Sequence, residues 1–533
     1  MKLDYKSLVG KALWDKAGIR TPRYDCLRVR DKTGKAPVWI HFGAGNIFRG
    51  FISLLQHKLL NEGIAELGVI AAESYDFDII EDIYKPHDNL SLFVGLHPDG
   101  KTDREVSAAV TEALRTDRDR ERLNEIFRDK GLQLASFTIT EKGYATRDAN
   151  GGLLPYIEKD MTSPPPEAKS AMGVTAALLL ARYKAGGYPL ALVSMDNCSK
   201  NGELLGESVL AVARAWRGHG FADDGFIEYL SDPGCVSFPW TMIDKITPRP
   251  DPVIVKQLAE LGLEDMEPVV TSAKTYIAPF VNAEIPQYLV VENDFPNGRP
   301  PLERAGVYFT DRETVNACER MKVSTCLNPL HTALAVFGCL LGFERISEEM
   351  RDRDLKKLVE GIGYQEGLPV SANPGILDPE RFIDEVINVR FPNPFVPDTP
   401  QRIATDTSQK VRIRFGETIK RYIERTDLDV RSLKFIPLAL AGWLRYLLAV
   451  DDNMEAFEPS SDPMLETLQN ALRGVTAGRP ESYGGQLRPV LSNAEIFGTD
   501  LCACGLNQTI ERMFVEMLAG KGAVREVLRK YVS

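Results

Sequence analysis

Nearly continuous apolar runs alternate with amphipathic patterns through the first part of the chain. Four of these runs have the composition of strands buried on both faces of a parallel sheet, at Val38–Phe42, Leu67–Ala72, Leu132–Thr140 and Pro189–Ser194. Between them apolar positions recur every three to four residues, which predicts helices, most clearly over Thr175–Tyr183. The alternation over residues 38–200 therefore predicts an α/β fold, a doubly wound domain of the Rossmann type.

The pattern changes after a Pro- and Gly-rich turn at Phe295–Pro301. From Arg312 onwards helical periodicities dominate and strand-like runs are few, so we predict a mainly α-helical second domain. With 533 residues the chain is also too long for one hydrophobic core. We place a dinucleotide-binding domain with an N-terminal arm at 1–305, and a mainly helical substrate and catalytic domain at 306–533.

Composition narrows the class of protein. The chain is 44% hydrophobic and 26% charged with a net charge of −11, which is typical of a soluble globular protein and disfavours binding to nucleic acid or an anionic membrane. A few local cations can still bind an anionic small molecule. The most apolar later stretches, Thr332–Phe343 and Leu438–Val450, are shorter than the roughly 20 residues of a membrane span and predict buried helices.

Cysteine and histidine usage predicts no metal site. The six histidines are scattered, and Cys502 and Cys504 form a C-x-C pair with no second pair. Eight cysteines and an N-terminus without the apolar core of a signal peptide lead us to expect reduced thiols and a cytoplasmic protein. The sequence leaves the oligomeric state open.

A glycine-rich turn follows the first predicted strand and precedes an amphipathic helix. Gly43 permits a tight turn and Gly45 allows the backbone to approach a pyrophosphate at the helix N-terminus. Phe48 occupies the place of the third glycine of the usual G-x-G-x-x-G motif, and a glycine turn with no ligand is the alternative. The predicted cofactor-binding residues of the turn are Gly43, Ala44, Gly45, Asn46, Ile47, Phe48 and Arg49.

An acidic residue ends the second predicted strand. Glu73 can accept hydrogen bonds from ribose hydroxyls and would repel a 2′-phosphate, which favours NAD over NADP. A solvated loop acid is the alternative, and Asp76 and Asp78 compete for the same role.

The segment His41–Gly50 resembles the nucleotide-binding turn of the long-chain mannitol dehydrogenase family, which includes polyol dehydrogenases and hexuronate reductases. The resemblance continues in the family's order through Thr140–Tyr144, Ser194–Asn197 with Asn201-Gly202, Phe238–Pro248, Lys322 with Asn328–His331, and Arg402–Lys410. It implies a Rossmann-type domain followed by a helical domain, with zinc-independent catalysis in the cleft between them.

The resemblance also implies roles for individual residues. Lys322 would be the general acid/base, Asn328 and Asn197 would donate hydrogen bonds to the reacting oxygen, and His331 would contact or orient the substrate. Further substrate contacts would come from Asp244, Arg402 and Lys410. The residues alone allow other interpretations: Asn328 as the cap of a helix with Pro329 at its first position, His331 as a satisfied core histidine, and the charged residues as surface ion pairs.

The spacing of this cluster departs from the family. The lysine of the family lies five residues before the asparagine, whereas Lys322 lies six before Asn328. On one continuous α-helix, Lys322 and His331 would point about 180° apart. A bulge or a break in the helix before Asn328 would restore their convergence.

Lys142 follows a predicted strand, at the carboxyl edge where open α/β sheets bind ligands. A cation there suits a substrate carboxylate and so favours a hexuronate over a neutral polyol. Together with the family resemblance this implies NAD-dependent interconversion of D-fructuronate and D-mannonate. Tagaturonate reduction and polyol 2-oxidation are the closest alternatives, and a catalytically inactive NAD-binding sensor is an alternative of another class.

Overall fold

The computed structural model describes residues 1–148 and 150–533. The chain divides into two units: unit 1 comprises Met1–His97 and Lys101–Asn316, and unit 2 comprises Pro98–Gly100 and Ala317–Ser533. The division falls inside a helix that begins at Arg312, whereas the sequence pattern placed the boundary at 305/306.

Unit 1 contains the strands of the described chain. They are β1 (Trp39–Phe42), β2 (Val69–Glu73), β3 (Ser91–Leu96), β4 (Thr102–Ser107), β5 (Val110–Arg115), β6 (Leu134–Phe137), β7 (Leu190–Ser194), β8 (Val236–Ser237), β9 (Thr241–Asp244), β10 (Val269–Val270), β11 (Tyr276–Ile277), β12 (Phe280–Glu284), β13 (Tyr288–Glu292) and β14 (Tyr308–Thr310).

The main sheet has six strands in the order β5-β2-β1-β6-β7-β8, and every neighbouring pair in it is parallel. Four of these strands, β1, β2, β6 and β7, are the four apolar runs of the sequence, so the predicted Rossmann-type fold is confirmed. Successive residues of β1 pack into different cores, Trp39 on one face of the sheet and Ile40 on the other. Smaller sheets have the orders β12-β3-β4, β14-β13-β9 and β10-β11.

The helices of unit 1 include three in the N-terminal arm. The set is α1 (Tyr5–Leu8), α2 (Lys11–Lys16), α3 (Cys26–Lys35), α4 (Ser53–Asn61), α5 (Arg120–Arg128), α6 (Thr140–Tyr144), α7 (Pro155–Thr162), α8 (Ala171–Gly186), α9 (Asn201–Gly218), α10 (Asp224–Ser231), α11 (Pro252–Glu260) and α12 (Arg312–Met321). The predicted helix over Thr175–Tyr183 lies inside α8, which begins after a Ser170 cap and ends at Gly187 in the left-handed conformation.

Unit 2 is helical, as predicted, and over Ala317–Ser533, all described, it contains isolated β-bridges but no strand. Its helices are α13 (Asn328–Leu341), α14 (Ile346–Glu349), α15 (Arg353–Glu360), α16 (Pro379–Glu385), α17 (Pro400–Ile403), α18 (Thr407–Val411), α19 (Glu417–Glu424), α20 (Phe435–Tyr446), α21 (Leu465–Ala471), α22 (Arg488–Leu491), α23 (Ala494–Phe497), α24 (Asn507–Glu516) and α25 (Ala523–Val532).

The two apolar stretches that predicted buried helices form α13 and α20, and both are buried along most of their length. The helical run Arg312–Leu341 has the length and hydropathy of a membrane span, but 78% of its most apolar window is buried inside the protein. That burial is the property of a core helix.

Several helices contain a wider π turn, in which the backbone hydrogen bond spans five residues instead of four. These turns are Phe48–Ile52, Ile79–Tyr84, Lys322–Cys326, Gly361–Gly367, Val386–Arg390 and Arg412–Gly416. Two of them lie at segments that the sequence singled out, directly after the glycine turn and at Lys322.

Candidate active site

The glycine turn lies where three strands of the main sheet end. Phe42 pairs with Ala72 on β2 and with Phe137 on β6, so the residues after these strands meet at one edge. Gly43 has a φ of +98°, and a Cβ there would lie 2.1 Å from the carbonyl oxygen of Thr138. Only glycine satisfies both requirements, which explains the first glycine of the turn.

The turn has the features that a dinucleotide pyrophosphate needs. A Cβ built at Gly45 would meet no described atom within 4 Å, so the backbone there is open to a ligand. A helical run begins at Asn46, and its first amides have no partner within the helix. The Oδ1 atom of Asn46 is buried without a hydrogen-bond partner in the described chain. These residues fit a nicotinamide dinucleotide.

Arg49, predicted to bind the cofactor, is completely buried and its guanidinium is occupied within the protein. It donates to Ser91 Oγ at 3.1 Å and to the carbonyl oxygens of Ala278 and Pro279 at 2.8 and 2.6 Å. The side chain therefore ties the helix after the turn to the segment before β12. Arg49 can contribute to a cofactor site only through its backbone.

Glu73 joins the end of β2 to the glycine turn. One carboxylate oxygen accepts from the Ala44 amide at 2.8 Å, and the other accepts from the amides of Ser74, Tyr75 and Asp76. Burial raises the pKa of Glu73, although these amides act in the opposite direction. With 5% of its surface exposed, it is not a solvated loop acid.

The two competing acids have other partners. Asp76 accepts from Thr271 Oγ1 at 2.7 Å, and Asp78 accepts from the amide of Ser272 at 2.8 Å. Both hold the segment after β10. Glu73 is thus the one of the three acids that is bonded to the turn.

A polar chain that the sequence did not indicate lies beneath the turn. The ring nitrogens of His41 contact Ser136 Oγ at 2.7 Å and Thr138 Oγ1 at 2.8 Å. The ring stacks on Phe48 with centroids 4.1 Å apart. Thr138 Oγ1 also donates to the carbonyl oxygen of Gly43 at 3.2 Å. Burial lowers the pKa of His41 to about 3, so the ring is neutral and structural.

The edge of the sheet after β6 and β7 carries two of the predicted site residues. Lys142 and Asn197 are both exposed there. Between them in the fold, the Asp196 carboxylate accepts hydrogen bonds from the Ile139 and Thr140 amides and from the Tyr144 hydroxyl. Burial raises the pKa of Asp196, and these three hydrogen bonds oppose that shift.

Asp244, another predicted substrate contact, is a buried residue at the end of β9. The other end of β9, at Thr241, is tied to the residues that follow β7. The side-chain amide of Asn201 bonds to the backbone and hydroxyl of Thr241 and also donates to the carbonyl oxygen of Asp196. This buried amide explains the Asn201-Gly202 pair of the sequence. Asp244 is therefore not a surface ion-pairing residue.

In unit 2, Lys322 is 2% exposed and opens a π turn that spans Lys322–Cys326. The Leu327 amide donates to the Lys322 carbonyl five residues before it, at 3.1 Å. Leu327 itself has φ −127° and ψ −63°, outside the helical range. The structure thus contains the bulge and the break that the spacing of Lys322 and Asn328 required.

A π turn holds one residue more than an α turn. This one extra residue equals the difference between the spacing of Lys322 and Asn328 and the spacing expected from the family resemblance. The α-helix begins at Asn328 with Leu327 in the cap position and no side-chain capping hydrogen bond. The interpretation of Asn328 as a helix cap, with Pro329 at the first position, is accordingly wrong.

His331 lies among positive charges. Burial and the charges of Arg414, Arg402, Arg390 and Lys410 lower the pKa of His331 to about 3. Its Nε2 atom lies 3.4 Å from Asp398 Oδ2 but makes no hydrogen bond in the described chain. The ring also contacts Phe391, with centroids 5.0 Å apart. His331 is not a satisfied core histidine.

The cations around His331 form a set that we call the cation cluster, consisting of Arg390, Arg402, Lys410 and Arg414. Arg402 pairs with Asp398, and Lys410 donates to the Thr405 carbonyl. Arg414 donates to Thr332 Oγ1 at 2.5 Å. Burial lowers the pKa of Arg414 to about 10, and burial is the first cause of the lowered pKa of Lys410.

The sequence predicted Arg402 and Lys410 but missed Arg390, Arg414 and Asp398. Arg414 lies four residues beyond Lys410, which was the one local hint available. A cluster with four cations around a neutral histidine suits an anionic ligand.

Over the residues that the structure describes, no group of three or more His, Cys, Asp or Glu side chains is arranged to hold a metal ion. All eight cysteines are free thiols. Zinc-independent catalysis stays a prediction, as do the catalytic roles assigned to Lys322, Asn328, Asn197 and His331.

Two family models match the chain, one in each of the two units. Residues 38–304 match the mannitol dehydrogenase Rossmann domain, and residues 314–518 match the mannitol dehydrogenase C-terminal domain. The chain is 51% identical to the D-mannonate oxidoreductase of Thermotoga maritima, over 100% of this chain and 99% of that protein. It is 29% identical to the polyol:NADP oxidoreductase of Gluconobacter oxydans, over 86% and 88% of the two chains.

Solved structures show the same fold. A mannitol 2-dehydrogenase of Pseudomonas fluorescens, in a ternary complex with NAD and D-mannitol, aligns with a TM-score of 0.71 at 25% identity over 99% of both chains. A D-sorbitol dehydrogenase aligns with a TM-score of 0.80 at 24% identity, over 97% of this chain and 98% of that one. With both domains matched in order, the chain belongs to the mannitol dehydrogenase family of oxidoreductases.

Proposed function

We propose that the chain interconverts D-fructuronate and D-mannonate with NAD(H). The observation that carries the proposal is the cation cluster around His331, because a sugar acid presents a carboxylate where a neutral polyol presents a hydroxyl. The 51% identity to a D-mannonate oxidoreductase supports the same substrate class.

In this proposal the predicted catalytic and substrate-binding residues handle the proton and the substrate. Lys322 is the general acid/base at the reacting oxygen, since reduction of a ketone requires a proton donor and oxidation of an alcohol requires an acceptor. Asn328 and Asn197 donate hydrogen bonds to that oxygen as negative charge develops on it. His331 contacts a substrate hydroxyl, and Arg402, Lys410, Asp244 and Lys142 contact the remainder of the substrate.

A neutral His331 suits this role. At a pKa of about 3 the ring carries no charge at neutral pH, so it can accept or donate one hydrogen bond without adding to the surrounding positive charge. Its Nε2 atom, unbonded in the described chain, gives a hydroxyl a place to bind.

The glycine turn, from Gly43 to Phe48 with the backbone of Arg49, would hold the cofactor. Bound nicotinamide supplies the hydride donor or acceptor. Glu73 supports NAD over NADP, because its carboxylate is buried beside the turn and would repel a 2′-phosphate.

A substrate panel tests the proposal. Fructuronate, tagaturonate and fructose are each incubated with NADH or NADPH, and loss of the reduced cofactor is followed by absorbance. We expect the highest kcat/KM for fructuronate with NADH. Preference for tagaturonate or fructose would contradict the substrate, and preference for NADPH would contradict the cofactor. Measurable NADH binding with no turnover on any substrate would favour the sensor.

Lys322→Ala tests the proton carrier. We expect turnover to fall by about 10²–10⁴-fold, the usual contribution of a general acid/base, with the NADH dissociation constant unchanged. Lys356→Ala is the matched control, since Lys356 is a partly exposed lysine of the same unit that bonds to Asn388. Equal activity of the Lys322 and Lys356 variants would remove Lys322 from the mechanism.

A further inference from the structure

Thr140 has a backbone conformation that costs energy. Its φ is +63°, and it is the one β-branched residue with a left-handed backbone among those the structure describes. Such a conformation costs about 1–3 kcal/mol in a residue other than glycine. The Thr140 side chain is exposed, so packing of that side chain does not compensate for the strain.

Asp196 holds the strained turn. Its Oδ2 atom accepts from the Ile139 amide at 2.8 Å, and its Oδ1 atom accepts from the Thr140 amide at 3.1 Å. The Tyr144 hydroxyl, four residues further along, donates to Oδ2 at 2.7 Å. One carboxylate therefore binds both ends of helix α6, and hydrogen bonds to an ionised acceptor are the strong ones.

The backbone of Asp196 is itself held by residues that follow it in the chain. Its carbonyl oxygen accepts from the Asn201 amide at 3.0 Å and from the backbone amide of Cys198 at 2.9 Å. The Tyr144 hydroxyl also lies 2.8 Å from Ser194 Oγ. Strands β6 and β7 pair at Phe137 and Ser194. The Asp196 side chain therefore joins the segments that follow two neighbouring strands.

These contacts surround two residues that the proposed function uses. Lys142 is the middle residue of α6, and Asn197 follows Asp196 directly in the chain. Because the carboxyl edge of a parallel sheet is the ligand-binding edge, displacement of α6 would displace Lys142 from that edge.

We infer that Asp196 is a positioning residue, which holds the strained Ile139–Thr140 turn so that α6 presents Lys142 to the substrate beside Asn197. The inference rests on the proposed function for the role of Lys142. The strain has a purpose in this arrangement, because the carboxylate that accepts both turn amides follows strand β7 and so ties the turn to the end of the neighbouring strand.

The test is a cycle of Asp196→Asn and Thr140→Gly. Asp196→Asn removes one acceptor and the charge, and we expect KM for fructuronate to rise about tenfold while the NADH dissociation constant changes less than twofold. Glycine accepts a positive φ at little cost, so the same change made in the T140G background should raise KM only about threefold. A role limited to global folding would give the same factor in both backgrounds and would overturn the inference, as would an unchanged KM in D196N.

Hydrogen exchange separates this inference from the proposed function. Peptides covering residues 134–148 should exchange faster in D196N than in the wild-type chain, and less so when T140G is also present. Unchanged exchange would overturn the inference whatever the substrate. Faster exchange in a chain that shows no turnover of fructuronate would contradict the proposed function and retain the structural part of the inference.

If D196N does not fold, Tyr144→Phe replaces it. That change removes one of the three donors to the carboxylate and leaves the turn amides bonded, so we expect KM to rise about two- to threefold. A wild-type KM in Y144F together with wild-type exchange would overturn the inference.

Discussion

The two units each contain a histidine held neutral by burial, with a pKa lowered to about 3 in both cases. In unit 1, His41 has a hydrogen-bond partner for each ring nitrogen. In unit 2, His331 has a buried Nε2 atom with no hydrogen bond in the described chain and four cations around it.

The difference separates a histidine that is fully bonded within the protein from the histidine that we propose binds the substrate. Buried polar atoms in native proteins are nearly always bonded, and an unbonded one needs an explanation. His41 stabilises the strand ends and the glycine turn. His331 retains hydrogen-bonding capacity, surrounded by charge that suits an anion. Burial and pKa alone would have classed the two together, and the hydrogen bonds distinguish them.

Among the changes that test this comparison, the largest expected effect comes from His331→Ala. We expect kcat/KM for fructuronate to fall by about 10²–10³-fold, as when one oxygen-stabilising group is removed, with the free energy of unfolding changed by less than about 1 kcal/mol. Steady-state kinetics and urea unfolding measure the two quantities. His219→Ala, at an exposed position of unit 1, is the control. A loss of stability without a loss of activity would show that His331 is structural, and would contradict the proposed difference between His331 and His41.

The next largest effect comes from His41→Ala, which should lower stability and leave activity nearly unchanged. It leaves Thr138 and Ser136 without their ring partner and removes the stack on Phe48, so we expect the free energy of unfolding to fall by about 2–4 kcal/mol. The folded variant should keep a kcat within about threefold of the wild type. Urea unfolding with kinetics on the folded fraction tests this, and a large loss of kcat with normal stability would contradict it.

The effect that is smallest near neutral pH is a shared response to acid. Both folded pKa values lie near 3, below the ordinary value of 6.5, so the unfolded chain binds protons that the folded chain does not. Stability should therefore fall as the pH falls from about 6.5 towards 3, with each histidine contributing up to about 1.4 kcal/mol per pH unit. Replacing either histidine by alanine should reduce this slope by one proton, measured by urea unfolding across the range.

Equal reductions in the two variants would confirm that the histidines share a charge state and differ in bonding. If the dependence of stability on pH changes in His41→Ala alone, His331 is protonated in the folded protein. The two histidines would then differ in charge as well as in hydrogen bonding.

The sequence predicted the parts of the fold that depend on local pattern. Apolar runs located β1, β2, β6 and β7, because a strand buried on both faces consists of consecutive apolar residues. Helical periodicity of apolar residues located α8. The structural role of Arg49, the arginine in the glycine turn, could not be predicted from local pattern. Arg49 bonds to carbonyl oxygens at Ala278 and Pro279, more than two hundred positions along the chain, and no local pattern reveals that.

The site shows the same limit. Family spacing indicated Lys322, Asn328, His331, Arg402 and Lys410 as candidates, and the spacing of Lys322 also indicated a bulge, which the structure contains. Charge alone did not locate Arg390 or Asp398, since single charged residues are usually on the surface and only tertiary structure places these two beside His331. The Asn328 cap was predicted from a sound local rule, and the broken backbone at Leu327 made that prediction wrong.

The π turn at Lys322 also bears on how chains of this kind can change length. An inserted residue in an ordinary helix rotates everything after it by about 100°, which would change the direction in which Asn328 and His331 point. Here the wider turn confines the insertion to Lys322–Cys326, and α13 keeps its orientation. A chain lacking Val323 would reach Asn328 through an ordinary α turn, with the lysine five residues before it and the same side chains on the same face. We therefore expect deletion of Val323 to leave unchanged the side chains that α13 presents.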